Sequence, residues 1–327
     1  GGRVLGLFPP ESDENVVWTH PALSSKASAR SYFAQRGWQN PGGDRTWMAP
    51  EIDLFIGNPA HPIETYKVPH ELDPGAWTLT LADGEARLTT AAQLRLQRTR
   101  RDVSVRIDKQ ISPAANPLAD VDLQYAGYTL ATKLVVQPQP DTPVRLGLWN
   151  LLQLPSPGVM LIPTCSPAQP QPVFGTIAAE ELAIAPHLVC WRMGGDGVDA
   201  KFAFKAYSLT GRVGYLRRTE TPEVWDLVIR EFALDLNGDY IDALWKPPHE
   251  TGWAFQACCI RAGAERFNEL EYHAPAVSTI EGSNACLDVS RLWAYRGPAR
   301  AIINAGTCLL GVDLAKVVNG YSERSPI

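Results

Sequence analysis

Residues 103–108 read Val-Ser-Val-Arg-Ile-Asp, an unbroken alternation of apolar and polar side chains. Successive side chains of a β-strand point to opposite faces, so this pattern predicts a strand with one buried face. The same period recurs at residues 77–81, 92–97, 201–205 and 225–230. Repeated half-buried strands are typical of antiparallel sheets. The alternation therefore predicts an all-β chain.

Turn and helix signals refine this prediction. Asp83-Gly84 lies between two alternating runs and predicts a tight hairpin. The stretches from Ser24 to Phe33 and from Thr176 to Ile184 predict short connecting helices. Many short strands separated by Pro and Gly indicate a sandwich or barrel. At 327 residues, we expect one large sandwich of antiparallel sheets with few short helices.

No segment has the character of a domain linker. The polar, Pro-rich stretches 137–141 and 167–172 have only the usual length of loops. Large all-β domains routinely exceed the average domain size. We therefore expect residues 1–327 to form a single sandwich domain. Because the chain opens on Gly1 without Met, inside a strand-like pattern, we expect the native N-terminus to be missing.

The charge balance bears on partners. The chain has 30 basic and 35 acidic residues, a net charge of −5. Nucleic-acid binding asks for a basic face, so no nucleic-acid partner is expected. No apolar run reaches the roughly 18 residues that span a bilayer, and no membrane partner is expected either. The compartment stays open between cytoplasmic and periplasmic or secreted, and the oligomeric state is not predicted.

Six cysteines fall at positions 165, 190, 258, 259, 286 and 308. None forms a Cys-x-x-Cys pair, so we interpret them mainly as buried small side chains, with a disulfide as the alternative. Cys258 and Cys259 would face opposite ways in a strand. No zinc, calcium-loop or phosphate-loop spacing is complete, and the sequence indicates no cofactor and no metal site.

Ionisable residues concentrate in two stretches. Residues 40–51 read Asn-Pro-Gly-Gly-Asp-Arg-Thr-Trp-Met-Ala-Pro-Glu, and residues 268–273 read Asn-Glu-Leu-Glu-Tyr-His. If the second stretch is a strand, Glu269, Glu271 and His273 share one face. Three titratable groups are costly to bury together unless the site is wet or functional. A solvated face is the alternative.

These stretches supply candidate catalytic and substrate-binding groups. Two carboxylates can share general acid and base work on a sugar, and Glu51 with Glu271 is the candidate pair. Arg45 can bind a sugar hydroxyl or carboxylate, with Asp44 beside it as a second contact. A salt bridge within a surface turn is the alternative for Asp44 and Arg45.

Aromatic side chains suit sugars, whose C–H faces stack on rings. Five tryptophans could line such a cleft: Trp38, Trp47, Trp149, Trp191 and Trp293. Arg192 and Arg296 lie near two of them in sequence and are further candidates for substrate binding, as are Trp47 and Trp149. Core packing is the alternative for each ring.

Short segments resemble the galactose mutarotases, or aldose 1-epimerases. Gly1 to Leu7 and Asn15 to Trp18 are similar to that family's first two strands. Gly43-Asp44-Arg45 falls where the family carries a sugar-binding Arg, and Leu270 to His273 resembles the segment of its general base. The resemblance implies a β-supersandwich of the galactose-mutarotase type, with Arg45 as substrate-binding residue and Glu271 as base.

One departure concerns the general acid, a mid-chain His in that family. Leu146 to Leu151, the nearest segment here, contains no His. His273, two residues from Glu271, can replace it. The chain also resembles a bacterial branch of the superfamily, for which the resemblance implies no activity.

We therefore expect a sugar or oligosaccharide ligand and, as the leading hypothesis, proton transfer at or near the anomeric carbon of a sugar. Glu271 would be the base, His273 the acid and Arg45 the anchor. A polysaccharide lyase or glycoside hydrolase is one alternative. A glycan-binding module without catalysis is the other.

Overall fold

Two antiparallel β-sheets dominate the computed structural model, which describes residues 1–137, 144–221, 223–241, 251–279 and 282–315. Strands are numbered in chain order. In spatial order the first sheet holds β1 (Asp44–Ala49), β6 (Arg145–Pro155), β15 (Phe267–His273), β14 (Phe255–Ile260), β11 (Ala200–Phe204) and β8 (Gln171–Phe174), with β16 (Val277–Ser278) beside β6.

The second sheet is the larger one. In spatial order it holds β2 (Thr78–Ala82), β3 (Glu85–Leu96), β4 (Arg101–Pro113), β5 (Gln124–Val136), β17 (Ala285–Pro298), β13 (Val224–Phe232), β12 (Arg212–Arg218), β7 (Gly158–Pro163), β10 (Leu188–Met193) and β9 (Leu182–Ala185). The prediction of an all-β chain with large antiparallel sheets is confirmed.

Helices are few and short. The α-helices are α1 (Lys26–Phe33), α2 (Glu51–Leu54) and α3 (Ala299–Leu310), with helical turns at Pro21–Ser24, Glu71–Gly75, Ala179–Glu181 and Ala206–Ser208. The side chain of Ser25 caps α1, and Gly311 ends α3 with a left-handed φ of 68°. None of the helices in the described ranges has the length and apolar character needed to cross a membrane.

The main core lies between the two sheets. Alternate residues of β15 point into it, including Leu270 and Tyr272, and they meet Tyr128, Val228 and Leu292 of the second sheet. On the opposite side of the second sheet, α3 covers a smaller apolar cluster. The first sheet thus has one face against the core and one face turned away, here called the outer face.

Several local predictions are confirmed. The stretch 103–108 lies within β4, 201–205 coincides with β11 apart from its end residues, and 225–230 lies within β13. Asp83 and Gly84 both have positive φ and join β2 to β3 as a tight hairpin. Ser24 to Phe33 contains α1. The stretch 137–141, interpreted as a loop, lies outside the described residues except for its first residue.

Other local expectations were wrong. Residues 176–184 hold only a three-residue turn before β9, because Leu182–Ala185 pairs with β10 as an edge strand. Of the two segments that resemble the first mutarotase strands, Gly1 to Leu7 forms a single bridge, Val4 to Asp44, and Asn15 to Trp18 forms no strand. The next residue, Thr19, bridges to Gly42. α3 was not expected, although its apolar residues recur at helical spacing and pack on the second sheet.

The cysteines are all free thiols, so the disulfide alternative was wrong. Cys190, Cys258 and Cys259 are buried, whereas Cys165 and Cys308 are exposed. Cys259 belongs to the core between the sheets, and Cys258, the preceding residue of β14, therefore points to the outer face.

Candidate functional site

The outer face of the first sheet carries a buried polar cluster. In β15 the side chains of Glu269, Glu271 and His273 share this face, as the alternation predicted. Glu271 is 0% exposed and His273 1% exposed. The alternative of a solvated face is therefore wrong, because these groups are withdrawn from water.

Aromatic rings close the outer face. The ring of Phe55, just after α2, lies 5.0 Å from Trp47 and 6.0 Å from Trp149, measured between centroids. The Trp38 ring lies 5.5 Å from Trp47. Sheet residues under this cover are shielded from solvent, which strengthens their electrostatic interactions.

Glu271 is held through one of its two oxygens. Lys201 Nζ and Trp149 Nε1 each donate to Glu271 Oε2 at 2.8 Å. Oε1 is buried and accepts no hydrogen bond from any residue that the structure describes. Burial raises the pKa of Glu271, and the neighbouring Glu269 adds to the rise, while Lys201 opposes it. The free oxygen is thus the more available base.

Glu269 and Arg45 form a second buried ion pair. Arg45 Nη2 lies 3.0 Å from Glu269 Oε1, which also accepts from Gln153 Nε2 at 2.8 Å. Arg45 Nε and Nη1, and Gln153 Oε1, are buried and lack hydrogen-bond partners within the described part of the chain. The guanidinium lies 4.3 Å from the Trp47 ring centroid and 5.9 Å from that of Trp38. The cluster therefore has both donors and acceptors to offer.

His273 is fixed by a hydrogen bond and by stacking. Its Nε2 lies 2.8 Å from Gln256 Nε2. When the imidazole is neutral, an amide N–H donated to Nε2 places the ring proton on Nδ1. The ring stacks on Trp149 at 5.6 Å between centroids and 15° between planes. Trp149 thus contacts both His273 and Glu271.

Glu51 belongs to the cover. It begins α2, which packs on β1 and β3, and its carboxylate accepts from the hydroxyl of Tyr66 at 3.0 Å. The structure brings Glu51 to the cover and does not bring it into the pair with Glu271 that was expected.

Asp44 points the opposite way from Arg45. Because alternate residues of β1 face opposite sides, Asp44 enters the core between the sheets. There it forms an ion pair with Arg230 and accepts from the hydroxyl of Tyr128. The expectation that Asp44 contacts substrate beside Arg45 was wrong, and so was the alternative of a surface salt bridge.

Arg192 and Arg296 lie away from the cluster. Arg192 is on the second sheet and donates to the backbone oxygen of Glu180. Arg296 forms a two-bond ion pair with Asp226, at 2.6 and 2.8 Å. Neither belongs to the outer face of the first sheet, because both come from strands of the second sheet.

Three polar members of the cluster were not predicted: Lys201, Gln153 and Gln256. Lys201 belongs to an alternating run in which Phe202 and Phe204 enter the core, so a local reading assigns it to a solvated face. It reaches Glu271 across β14, which is the one strand between β11 and β15 in the sheet. No signal in the sequence gives that register.

A cavity of about 460 Å³ adjoins the cluster and includes Arg3, Trp38 and Asp73 in its lining. Asp73 forms an ion pair with Arg3 and accepts from Trp47 Nε1 at 3.0 Å. Burial alone would raise the pKa of Asp73, but Arg3 outweighs burial and holds it below the usual value. Trp38 and Trp47 thus connect the cavity to the surroundings of Arg45.

Comparison with known proteins gives distant structural likenesses. No protein-family model matches the chain, and no curated protein matches it significantly. Among solved structures, the Slr1438 protein from Synechocystis sp. is similar at a TM-score of 0.42 and 10% identity, covering 88% of this chain and 86% of that one.

Two further structures are described in terms of sugar isomerisation. A proposed aldose 1-epimerase from Escherichia coli gives a TM-score of 0.42 at 13% identity, covering 78% of this chain and 84% of that one. A galactose mutarotase-like protein from Lactobacillus casei gives 0.41 at 9% identity, covering 87% and 90%. Both names fall within the family that the short sequence segments resemble.

Proposed function

We propose that the outer face of the first sheet binds a sugar and moves a proton at or near its anomeric carbon, as an aldose 1-epimerase does. Glu271 acts as base, His273 as acid and Arg45 as anchor for a hydroxyl or the ring oxygen. The observation that carries this proposal is the Glu271 carboxylate, which is held at Oε2 and has no partner for Oε1 among the described residues.

The state of Glu271 suits proton abstraction. A general base works best when its pKa approaches the operating pH, and burial raises the pKa of Glu271 in that direction. Lys201 pairs with the carboxylate and opposes that rise. His273 lies two residues along the same strand face, where an acid can serve the same ring.

The remaining hydrogen-bonding capacity matches a polyol. Arg45 has donors at Nε and Nη1, while Glu271 Oε1 and Gln153 Oε1 are acceptors, all without partners in the described ranges. A sugar hydroxyl both donates and accepts, so it can satisfy either kind of group. The buried rings of Trp47 and Trp149 give the cluster apolar walls. Since the cluster is buried, sugar entry requires the cover at Phe55 and Trp38 to move.

The lyase alternative has less support. A lyase needs a cation to neutralise a uronate, but Arg45 and Lys201 are already paired with Glu269 and Glu271. A glycan-binding module without catalysis is the second candidate. Its supporting observation is the same buried Lys201–Glu271 pair, because a carboxylate committed to a lysine is a weaker base.

The test is anomer interconversion, followed by polarimetry or exchange NMR over a panel of neutral aldoses. We expect Glu271→Gln to lower kcat by about 10²-fold or more, the usual contribution of a positioned base. Glu231→Gln is the matched control, since Glu231 pairs with Arg212 and Arg291 on the second sheet. Full activity of Glu271→Gln would refute the assignment. Sugar binding without turnover in the wild type would favour the glycan-binding module.

A further inference from the structure

We propose that Cys258, Glu269 and Glu271 form a binding site for a divalent cation of the Zn²⁺ class. The site lies on the same outer face, but binding of the cation does not depend on the proposed sugar chemistry. Only its consequence for turnover rests on that function.

Strand register brings the three side chains together. Cys258 of β14 is paired with Glu269 of β15, and Glu271 follows two residues later on the same face. One ligand atom from each residue lies within 4.8 Å of the other two, and all three residues are buried. Zn²⁺ binds sulfur at about 2.3 Å and carboxylate oxygen at about 2.0–2.2 Å. The three atoms can therefore converge on one ion as three ligands, with the fourth position of a tetrahedral shell left to water.

Two buried oxygens give an independent indication of a ligand. Glu271 Oε1 has no hydrogen-bond donor among the described residues, and the same is true of Gln153 Oε1. Both side chains are 0% exposed. Gln153 donates through its Nε2 to Glu269 Oε1 at 2.8 Å, so its carboxamide lies beside the same carboxylate. A buried acceptor without a donor is unfavourable, and a cation bound by the three side chains would satisfy Glu271 Oε1.

The charge balance favours a ligand set that includes a thiolate. Arg45 and Lys201 offset the two carboxylates. When the cation binds, a metal–sulfur bond forms and the thiol proton leaves to solvent. The site then gains one positive charge instead of two.

Occupancy would affect the proposed reaction. The cation would take Glu271 Oε1, the oxygen assigned as base. Cation binding and proton transfer to Glu271 therefore exclude each other, and Zn²⁺ is expected to inhibit turnover at stoichiometric occupancy.

Co²⁺ is the probe, because a cobalt–thiolate bond gives a charge-transfer band in the near ultraviolet. We expect this band in the wild type, its loss in Cys258→Ser and its displacement by Zn²⁺. Cys259→Ser is the matched control, since Cys259 is the next residue of β14 and faces the core between the sheets. Glu269→Gln should weaken Co²⁺ binding at least tenfold. A band that persists in Cys258→Ser, or no band in the wild type, overturns the proposal.

X-ray absorption at the cobalt edge is measured on the wild type, so its result does not depend on whether a variant folds. One sulfur with oxygen ligands is expected, and a shell without sulfur overturns the site. Both readouts are made without sugar. Co²⁺ binding by a protein that turns over no aldose therefore supports the metal site and counts only against the proposed function. Stoichiometric Zn²⁺ with unchanged turnover overturns the predicted inhibition.

Discussion

Lys201 Nζ lies 2.8 Å from Glu271 Oε2, and the two side chains are only 6% and 0% exposed. The pair reaches across β14, which separates β11 from β15. Removing two charges from water is expensive, so such a pair stabilises the fold little compared with an apolar replacement. Its value lies in fixing the direction of the Glu271 carboxylate.

The first prediction concerns this ion pair. Lys201→Met leaves a buried carboxylate without its cation and should lower the free energy of unfolding by about 3–5 kcal/mol. Lys201→Met combined with Glu271→Gln should recover much of that loss. Urea unfolding of the wild type, both single variants and the double variant measures the coupling.

Lys133→Met is the control, because Lys133 is exposed on the second sheet and should change stability by no more than about 0.5 kcal/mol. A double variant no more stable than Lys201→Met would show that the two charges are not coupled.

The second prediction concerns Lys109, which is buried and donates to the backbone oxygen of Gly2. Burial lowers the pKa of Lys109 from 10.5 to about 8. The unfolded chain therefore binds more protons between these values, and the contribution of Lys109 to stability rises with pH through that window. Below pH 8, where Lys109 is protonated in both states, the unfolding free energy is lower by about 3 kcal/mol than above pH 10.5, where Lys109 is neutral in both.

Lys109→Met should remove this rise. The unfolding free energies of variant and wild type are measured from about pH 7 to pH 10, and their difference is taken. The tyrosines titrate in both proteins, so this difference isolates the pH dependence due to Lys109. A difference that does not change with pH would mean that Lys109 titrates normally in the folded state.

The third prediction separates Asp44 from the candidate site. Asp44→Asn leaves the fully buried Arg230 without its anion and should lower the unfolding free energy by about 3–5 kcal/mol. Sugar affinity of the folded protein should not change, because Asp44 faces the core between the sheets. Asp108→Asn, which breaks an exposed pair with Arg106, is the control and should lose at most about 1 kcal/mol. Weaker sugar binding in Asp44→Asn would restore Asp44 to the site.

Most of the correct sequence predictions came from the alternation of apolar and polar residues, which gives the face of each side chain in a strand. It predicted the strands around Val103 and Trp225, and it put Glu269, Glu271 and His273 on one face. The same rule separates Asp44 from Arg45, which the turn-like Gly-Gly-Asp-Arg sequence had suggested would act together.

Contacts across strands could not be predicted in this way. Lys201 meets Glu271 because β11 pairs with β14, a strand far from it in sequence, whereas Cys258 pairs with Glu269 through the register of the consecutive strands β14 and β15. Alternation within one strand gives the face of each side chain but not the residue opposite it on the next strand. The position of Phe55 over the outer face was not predicted either, because it depends on α2, the short helix after β1 that Phe55 directly follows.

The last prediction tests Arg45 as the sugar anchor. Arg45→Lys keeps a cation for Glu269 but removes the guanidinium donors Nε and Nη1, which have no partners in the described residues. A hydrogen bond from a charged group contributes about 1.5–3 kcal/mol, so sugar affinity should fall roughly tenfold or more. The variant should remain folded, since the positive charge beside the buried Glu269 is kept.

Titration with the aldose that the wild type interconverts fastest, followed by NMR, measures this affinity. Arg106→Lys, an exposed substitution on β4, is the control, because it shows how sugar affinity changes when a guanidinium is replaced outside the site. Equal affinities of Arg45→Lys and the wild type would mean that the free guanidinium donors do not contact sugar. The role of Arg45 would then be to neutralise Glu269, and the anchor for the ring would have to be sought at Gln153 or in the cavity beside Trp38.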